Sequence, residues 1–207
     1  GILTDVTYGS MAGTSGPRDF IELPSQLLEH WVSEPEVLKS FATHYETGES
    51  MPDELIEKLL KAGKFNQGFI NTEYLAASLL DMDWHTMSEL DAQNISDNFE
   101  KSSMNKIGLI DQIAPRYRST YFAHIFSGGY SSGYYSYVHA AVLDSDAFEA
   151  FKEAGDVFDS ELSSKLRKEI YEKGSTEEAM DLYVNFRGRK PIIAPLLKVR
   201  GLDGSSD

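Results

Sequence analysis

Apolar residues along this chain fall into short stripes of helical spacing, punctuated by Gly, Pro, Ser and Asp. From Glu22 onward, Leu23, Leu27, Leu28 and Trp31 recur at steps of four, one and three, the signature of one helix face. Pro24 suits a first turn, where its missing N–H costs nothing, and Pro35 ends this helix or opens the next. A second helix is expected over residues 36–43. A third is signposted in "SMPDELIEKLLKAG", with Pro52 and Asp53 near its start, Leu55, Ile56, Leu59 and Leu60 as its stripe, and Gly63 as its cap. "FINTEYLAASLLDMDWH" reads as a fourth, with Ile70, Tyr74, Leu75 and Leu79 on one side.

Further helices are expected near residues 91–101, 134–143, 146–153, 160–173 and 176–186. In "GSTEEAM", Ser175 or Thr176 can cap the last of these, with Glu177 and Glu178 favoured by the helix dipole. "RKPIIAPLLKVRGL" forms a short final segment before a polar tail. The first nineteen residues, rich in Gly, Ser and Thr, read as irregular chain with a short extended piece over residues 2–8. The expected fold is mainly α, with minor β near the N-terminus, and 1–207 as a single unit.

Composition narrows the function. Nineteen Lys and Arg face 33 Asp and Glu, a formal charge of −14, which opposes general binding to nucleic acid or anionic membrane. No apolar run approaches the roughly 18 residues that span a bilayer. No signal peptide is visible, and the acidic balance suits a cytoplasmic protein. With no Cys, thiolate metal sites and Cys nucleophiles are excluded, so any metal site must use His and carboxylates.

Two places carry candidate chemistry. Glu22, in "RDFIELPSQLLEHW", is either a first-turn carboxylate stabilised by the helix dipole or a metal ligand. Ser25, Glu29 and His30 read as ordinary helix-start and surface residues. The stretch "HIFSGGYSSGYYSY", His124 to Tyr137, holds one His, three Gly and four Tyr in fourteen residues. Tyr130, Tyr134 and Tyr137 at i, i+4 and i+7 would share one face of a helix. They form either an aromatic core stripe or a cluster of hydroxyls around a ligand. Buried phenols need partners, which makes them poor plain packing. Gly128, Gly129 and Gly133 let backbone approach a ligand closely, and His124 adds a titratable neighbour. His44, His85 and His139 have no partner at metal-ligand spacing and read as surface or core residues.

Taken in order, "GTSGPRDFIELPSQLLEHW", "YRSTYFAHIFSGGYSSGYYSY" and "DLYVNFRGRKPIIAPLLKVRGL" resemble the thimet oligopeptidase-type zinc metallopeptidases, which include oligopeptidase A and bacterial peptidyl-dipeptidases. The resemblance covers essentially the whole chain. It implies the C-terminal part of a zincin-like helical catalytic domain that hydrolyses short peptides with zinc-activated water. Glu22 then matches the glutamate that is the third zinc ligand, and Tyr137 a hydrogen-bond donor to the tetrahedral intermediate. Tyr130, Tyr134 and His124 match substrate-contacting neighbours, and Gly128 and Gly129 a loop that closes over the peptide. The family's H-E-x-x-H, which holds two His ligands and the general base, has no match here. The chain therefore reads as a C-terminal fragment, expected to be inactive alone and to retain no zinc. Its partners would be peptides and the missing N-terminal part. The apolar surface thereby uncovered would favour self-association over the face that includes the Tyr/Gly loop. Two readings compete: a non-catalytic peptide-binding or regulatory module using the Tyr/Gly loop, and a helical domain with no ligand.

Overall fold

The computed structural model describes residues 1–87 and 97–204. Among them the chain is helical: α1 Leu23–Val32, α2 Pro35–Phe41, α3 Asp53–Gly63, α4 Gln67–His85, α5 Asp97–Lys106, α6 Ala123–Phe126, α7 Ser136–Ala154, α8 Ser160–Leu166, α9 Ala179–Arg187 and α10 Ala194–Val199. The only β pairing among the described residues is one antiparallel bridge, Thr43 with Ser50. The piece expected to be extended over residues 2–8 forms no strand; Asp5 N–H donates to the Glu172 carbonyl at 2.9 Å. Of the helix expected at 91–101, residues 91–96 lie outside the described residues.

Two compact units divide the chain: Gly1–Phe65 with Ala140–Asp207, and Asn66–His139. The first has a core of Leu23, Leu27, Leu143, Phe151, Leu182 and Phe186, drawn from α1, α7 and α9. Burying a Leu this fully is worth about 1.5–3 kcal/mol. Pro24 sits in the first turn of α1 as expected. Of the predicted stripe, Leu23 and Leu27 are buried, whereas Leu28 is exposed.

Three expectations need correction. The gap expected between residues 143 and 146 does not exist, because α7 runs unbroken through Leu143, Asp144, Ser145 and Asp146. That polar run reads as a break, yet all three polar residues are buried. Asp144 and Asp146 are satisfied by partners from α1, α9 and beyond, which keeps the helix continuous. Second, α9 starts at Ala179, with Glu178 rather than Ser175 or Thr176 at its cap. Ser175 N–H instead donates to the Met11 carbonyl at 2.9 Å, and the Thr176 hydroxyl to Lys173 at 2.8 Å. Third, Gly63 does not turn the chain after α3; Asn66, at φ 58°, takes the left-handed conformation before α4. Over 160–173, α8 passes into a π-helical turn at Arg167–Tyr171.

In the second unit, α4 buries Ala76, Ala77, Leu80, Asp81 and Trp84. Three of its large aliphatics, Ile70, Leu75 and Leu79, are exposed, while Leu80 is buried. Of the expected stripe, only Tyr74 faces inward. Small Ala side chains let aromatic rings approach the helix closely, so the inward face is not the most hydrophobic one. Tyr74, Tyr117, Phe122, Ile125, Tyr134 and Tyr137 pack on this side.

Candidate active site

The Gly/Tyr stretch is built mostly from turns. Its i, i+4, i+7 spacing implies one helix face, but α7 starts only at Ser136, after Tyr130 and Tyr134. The rings nevertheless converge, because tight turns fold the segment onto α6 and α4. Ser127 and Gly128 N–H both donate to the Ala123 carbonyl at 2.8 Å, Tyr130 N–H to His124 at 3.1 Å, and Gly133 N–H to Tyr130 at 2.8 Å. Gly128 is required by this path: a Cβ there would lie 2.9 Å from the His124 carbonyl oxygen. Gly129 adopts φ 79°, which L side chains seldom take.

Tyr130 and Tyr137 stack with centroids 5.1 Å apart. His124 stands edge-on to Tyr130, Tyr134 and Tyr137 at 5.9, 5.8 and 6.2 Å. These three outer side chains, Tyr130, Tyr137 and His124, are half-buried. Tyr134 differs. It is 2% exposed, stacked on Tyr74 at 5.3 Å and edge-on to Phe122 at 4.8 Å. It is the floor of the cluster.

Charge enters the floor through Arg116, whose guanidinium carbon lies 5.2 Å from the Tyr74 ring centre. Its positive charge acts on the Tyr134 and Tyr117 hydroxyls as well. Burial, first, and then Tyr134, including the hydrogen bond to it, push the Tyr74 phenol far above its ordinary range. Burial also raises Tyr134, against Arg116 and the Tyr74 bond, which pull it down. Both phenols therefore keep their protons at neutral pH and act as neutral hydrogen-bonding groups.

Glu22 belongs to the other unit. It is the N-cap residue of α1 and half-buried. The Ser25 hydroxyl lies 2.9 Å from its Oε2 and 3.0 Å from its carbonyl oxygen, so its single proton serves one or the other. Farther along the same helix, His30 is not the surface residue its setting implied. Its Nε2 lies 2.6 Å from Asp144 Oδ1, and its ring stacks on Phe148 at 4.9 Å. Gln26 Nε2 donates to Asp144 Oδ2 at 3.0 Å. Glu22, Gln26 and His30 lie at i, i+4 and i+8, one face of α1.

Sequence reasoning missed Asp144, Tyr74, Arg116 and Asp81. Asp81 is wholly buried and accepts backbone N–H groups from Ser132 and Tyr134, both at 2.9 Å. A signal existed: Asp81 falls on the Ala77–Trp84 face of α4, where a carboxylate needs partners. The two backbone amides it accepts from lie more than fifty residues on, and only His85, at i+4, is a local partner.

The family model for peptidase family M3 matches residues 1–202. The chain is 42% identical over 204 residues to dipeptidyl carboxypeptidase of Escherichia coli, covering 98% of this chain and 30% of that protein. It is 37% identical over 211 residues to oligopeptidase A of Escherichia coli, covering 98% and 30%. Against saccharolysin of Saccharomyces cerevisiae it is 34% identical over 191 residues, covering 91% and 26%. The chain belongs to peptidase family M3. It spans about a third or less of the length of these curated relatives.

The family is one of zinc-dependent peptidases in general, and a catalytic zinc takes three protein ligands. Among the described residues, no group of three or more His, Asp or Glu side chains is arranged so that it could hold a metal ion. These residues do not by themselves fit a zinc centre, and Glu22 offers at most one ligand. Among the same residues no helix is long and apolar enough to cross a membrane.

Proposed function

We propose that this chain supplies the hydroxyl-bearing part of the active site of a peptidase acting on short peptides. The observation that carries the reading is the pair of half-buried phenols, Tyr130 and Tyr137, stacked beside His124 over a packed Tyr134–Tyr74 floor. A plain core would bury all of these rings. A plain surface would not stack them on a floor with the Arg116 guanidinium over the Tyr74 ring. Tyr137 donates a hydrogen bond from its phenol to the carbonyl oxygen under attack, where negative charge develops, and a preorganised donor acts most strongly there. Tyr130 and His124 line the peptide beside it. Tyr134, buried, holds those rings in place rather than touching substrate. Gly128 and Gly129 leave the approach to the peptide free of side chains.

Glu22 is the one carboxylate this chain contributes to a metal, and Ser25 orients it. Two further ligands and a water-activating base would have to come from outside the described residues. Likeness to proteins named dipeptidyl carboxypeptidase and oligopeptidase A supports peptides as the substrate class.

The test is incubation of the full-length polypeptide with an internally quenched short peptide, with products identified by mass. Cleavage at one peptide bond supports the reading. Peptide binding without cleavage would instead establish the non-catalytic module.

A further inference from the structure

We infer that Asp81 is the positioning residue of the tyrosine turn, tying the segment that carries Tyr130, Tyr134 and Tyr137 to the rigid face of α4. The inference rests on the role proposed above for those tyrosines. Ser132 takes a left-handed conformation, φ 55°, without being Gly. Alternating backbone conformations of this kind aim successive N–H groups toward one anion. Here the amides of Ser132 and Tyr134 both point at Asp81. Oδ1 accepts from Ser132 and Oδ2 from Tyr134, each at 2.9 Å, while the intervening Gly133 N–H turns back to Tyr130 at 2.8 Å.

A third donor fixes the carboxylate: His85 Nδ1 lies 2.7 Å from Asp81 Oδ1, one turn along α4. A carboxylate accepts only, so the His85 proton sits on Nδ1 in this bond. The anchor then sets the register of the first turn of α7. Ser136 N–H donates to Gly133 at 3.1 Å, α7 starts at Ser136, and Tyr137 is its second residue. Asp81 touches no substrate; it acts by holding the rings where they stand. An amide in its place keeps the shape but offers one acceptor where two are needed.

The experiment compares Asp81→Asn with wild type in the full-length polypeptide by amide hydrogen exchange and by peptide-cleavage kinetics. Exchange at Ser132 and Tyr134 should rise about tenfold or more, the factor for losing one buried hydrogen bond, with the centre of α4 unchanged. The kcat should fall about ten- to a hundredfold, as displaced reacting groups do, with KM little altered. In a Tyr137→Phe background, Asp81→Asn should then cost less than it does alone, because part of its effect passes through that hydroxyl. Unchanged exchange at the two amides overturns the anchor, and so does loosening that spreads through α4. A loosened turn with normal kcat overturns the link to catalysis, as do additive losses in the double variant. If wild type cleaves no peptide, the peptidase reading fails, while the exchange data still judge the anchor. If Asp81→Asn does not fold, His85→Gln is the second variant. Of the two carboxylate oxygens His85 touches only Oδ1, its Nδ1 also lying 3.0 Å from the Asp81 carbonyl, so exchange should change more at Ser132 than at Tyr134, and no difference between them contradicts the assignment.

Discussion

Buried phenols resist ionisation, and this gives the protein an alkaline limit. Burial is the main cause raising Tyr74, Tyr134, Tyr171 and Tyr183 above the ordinary value of 10.0. In the unfolded chain they would titrate near that value. Below it both states hold the same protons, so the stabilisation is fully present. Above it the unfolded chain sheds protons that the native state keeps, and stability falls as pH rises. The melting temperature should hold steady from about pH 7 to about 9.5 and then decline, with tyrosine ionisation at 295 nm following unfolding. Titration of all eleven tyrosines near pH 10 with the fold intact would contradict this. At this scale the sequence is informative about residue types and less so about their places. Tyr130, Tyr137 and His124 are legible because they stand within fourteen residues of one another. Tyr134 is legible as a member of the cluster but not as its floor, because burial depends on Tyr74 and Phe122 from distant segments.

Among the elements, α9 and the residues after it explain the block "FRGR". Gly188, at φ 80°, is the left-handed cap that ends α9. Arg189 then reaches Asp146 with two bonds, 3.0 Å to Oδ2 and 2.6 Å to Oδ1. The Tyr183 hydroxyl donates to Asp146 Oδ2 at 2.7 Å, and Arg187 Nε to the Asp146 carbonyl at 3.0 Å. Asp146 is completely buried, so removing its charge strands its partners. Asp146→Ala should cost about 3–5 kcal/mol in urea denaturation, and a loss below about 1 kcal/mol would mean the clamp is not structural. Two glycines provide a graded comparison. Gly188→Ala meets open space and bears only the strain of the left-handed conformation, about 1–2 kcal/mol. Gly174→Ala bears that strain too, at φ 56°, and its Cβ would lie 2.1 Å from the Met11 carbonyl oxygen. It should therefore cost at least about 1 kcal/mol more, since the Ser175–Met11 bond must give. Equal losses would contradict the crowding. These contacts explain why helix existence is readable from spacing while continuity is not. The buried Asp144 and Asp146 of α7 look like a break until α1, Tyr183 and Arg189 are placed beside them.

At the scale of the whole molecule, the exposed aliphatics of α3 and α4 stand out. Leu55, Leu59 and Leu60 on α3 are exposed although Ile56 of that stripe is buried. On α4, Leu75 is 49% and Leu79 46% exposed. Exposed apolar surface of this kind favours association. Light scattering of the 207-residue chain should give a mass above that of a monomer, reduced by Leu75→Glu with Leu79→Glu. A strict monomer at high concentration would show that these residues drive no contact. The measurement that bears most directly on the proposed role of the tyrosines is steady-state cleavage of a quenched peptide by the full-length polypeptide carrying Tyr137→Phe. The ring and its stacking on Tyr130 survive the change, and only the hydroxyl is lost. If that hydroxyl serves the developing oxyanion, kcat falls about 10²–10³-fold, with KM and the melting temperature little changed. A kcat close to wild type would contradict that role and leave the tyrosines as packing.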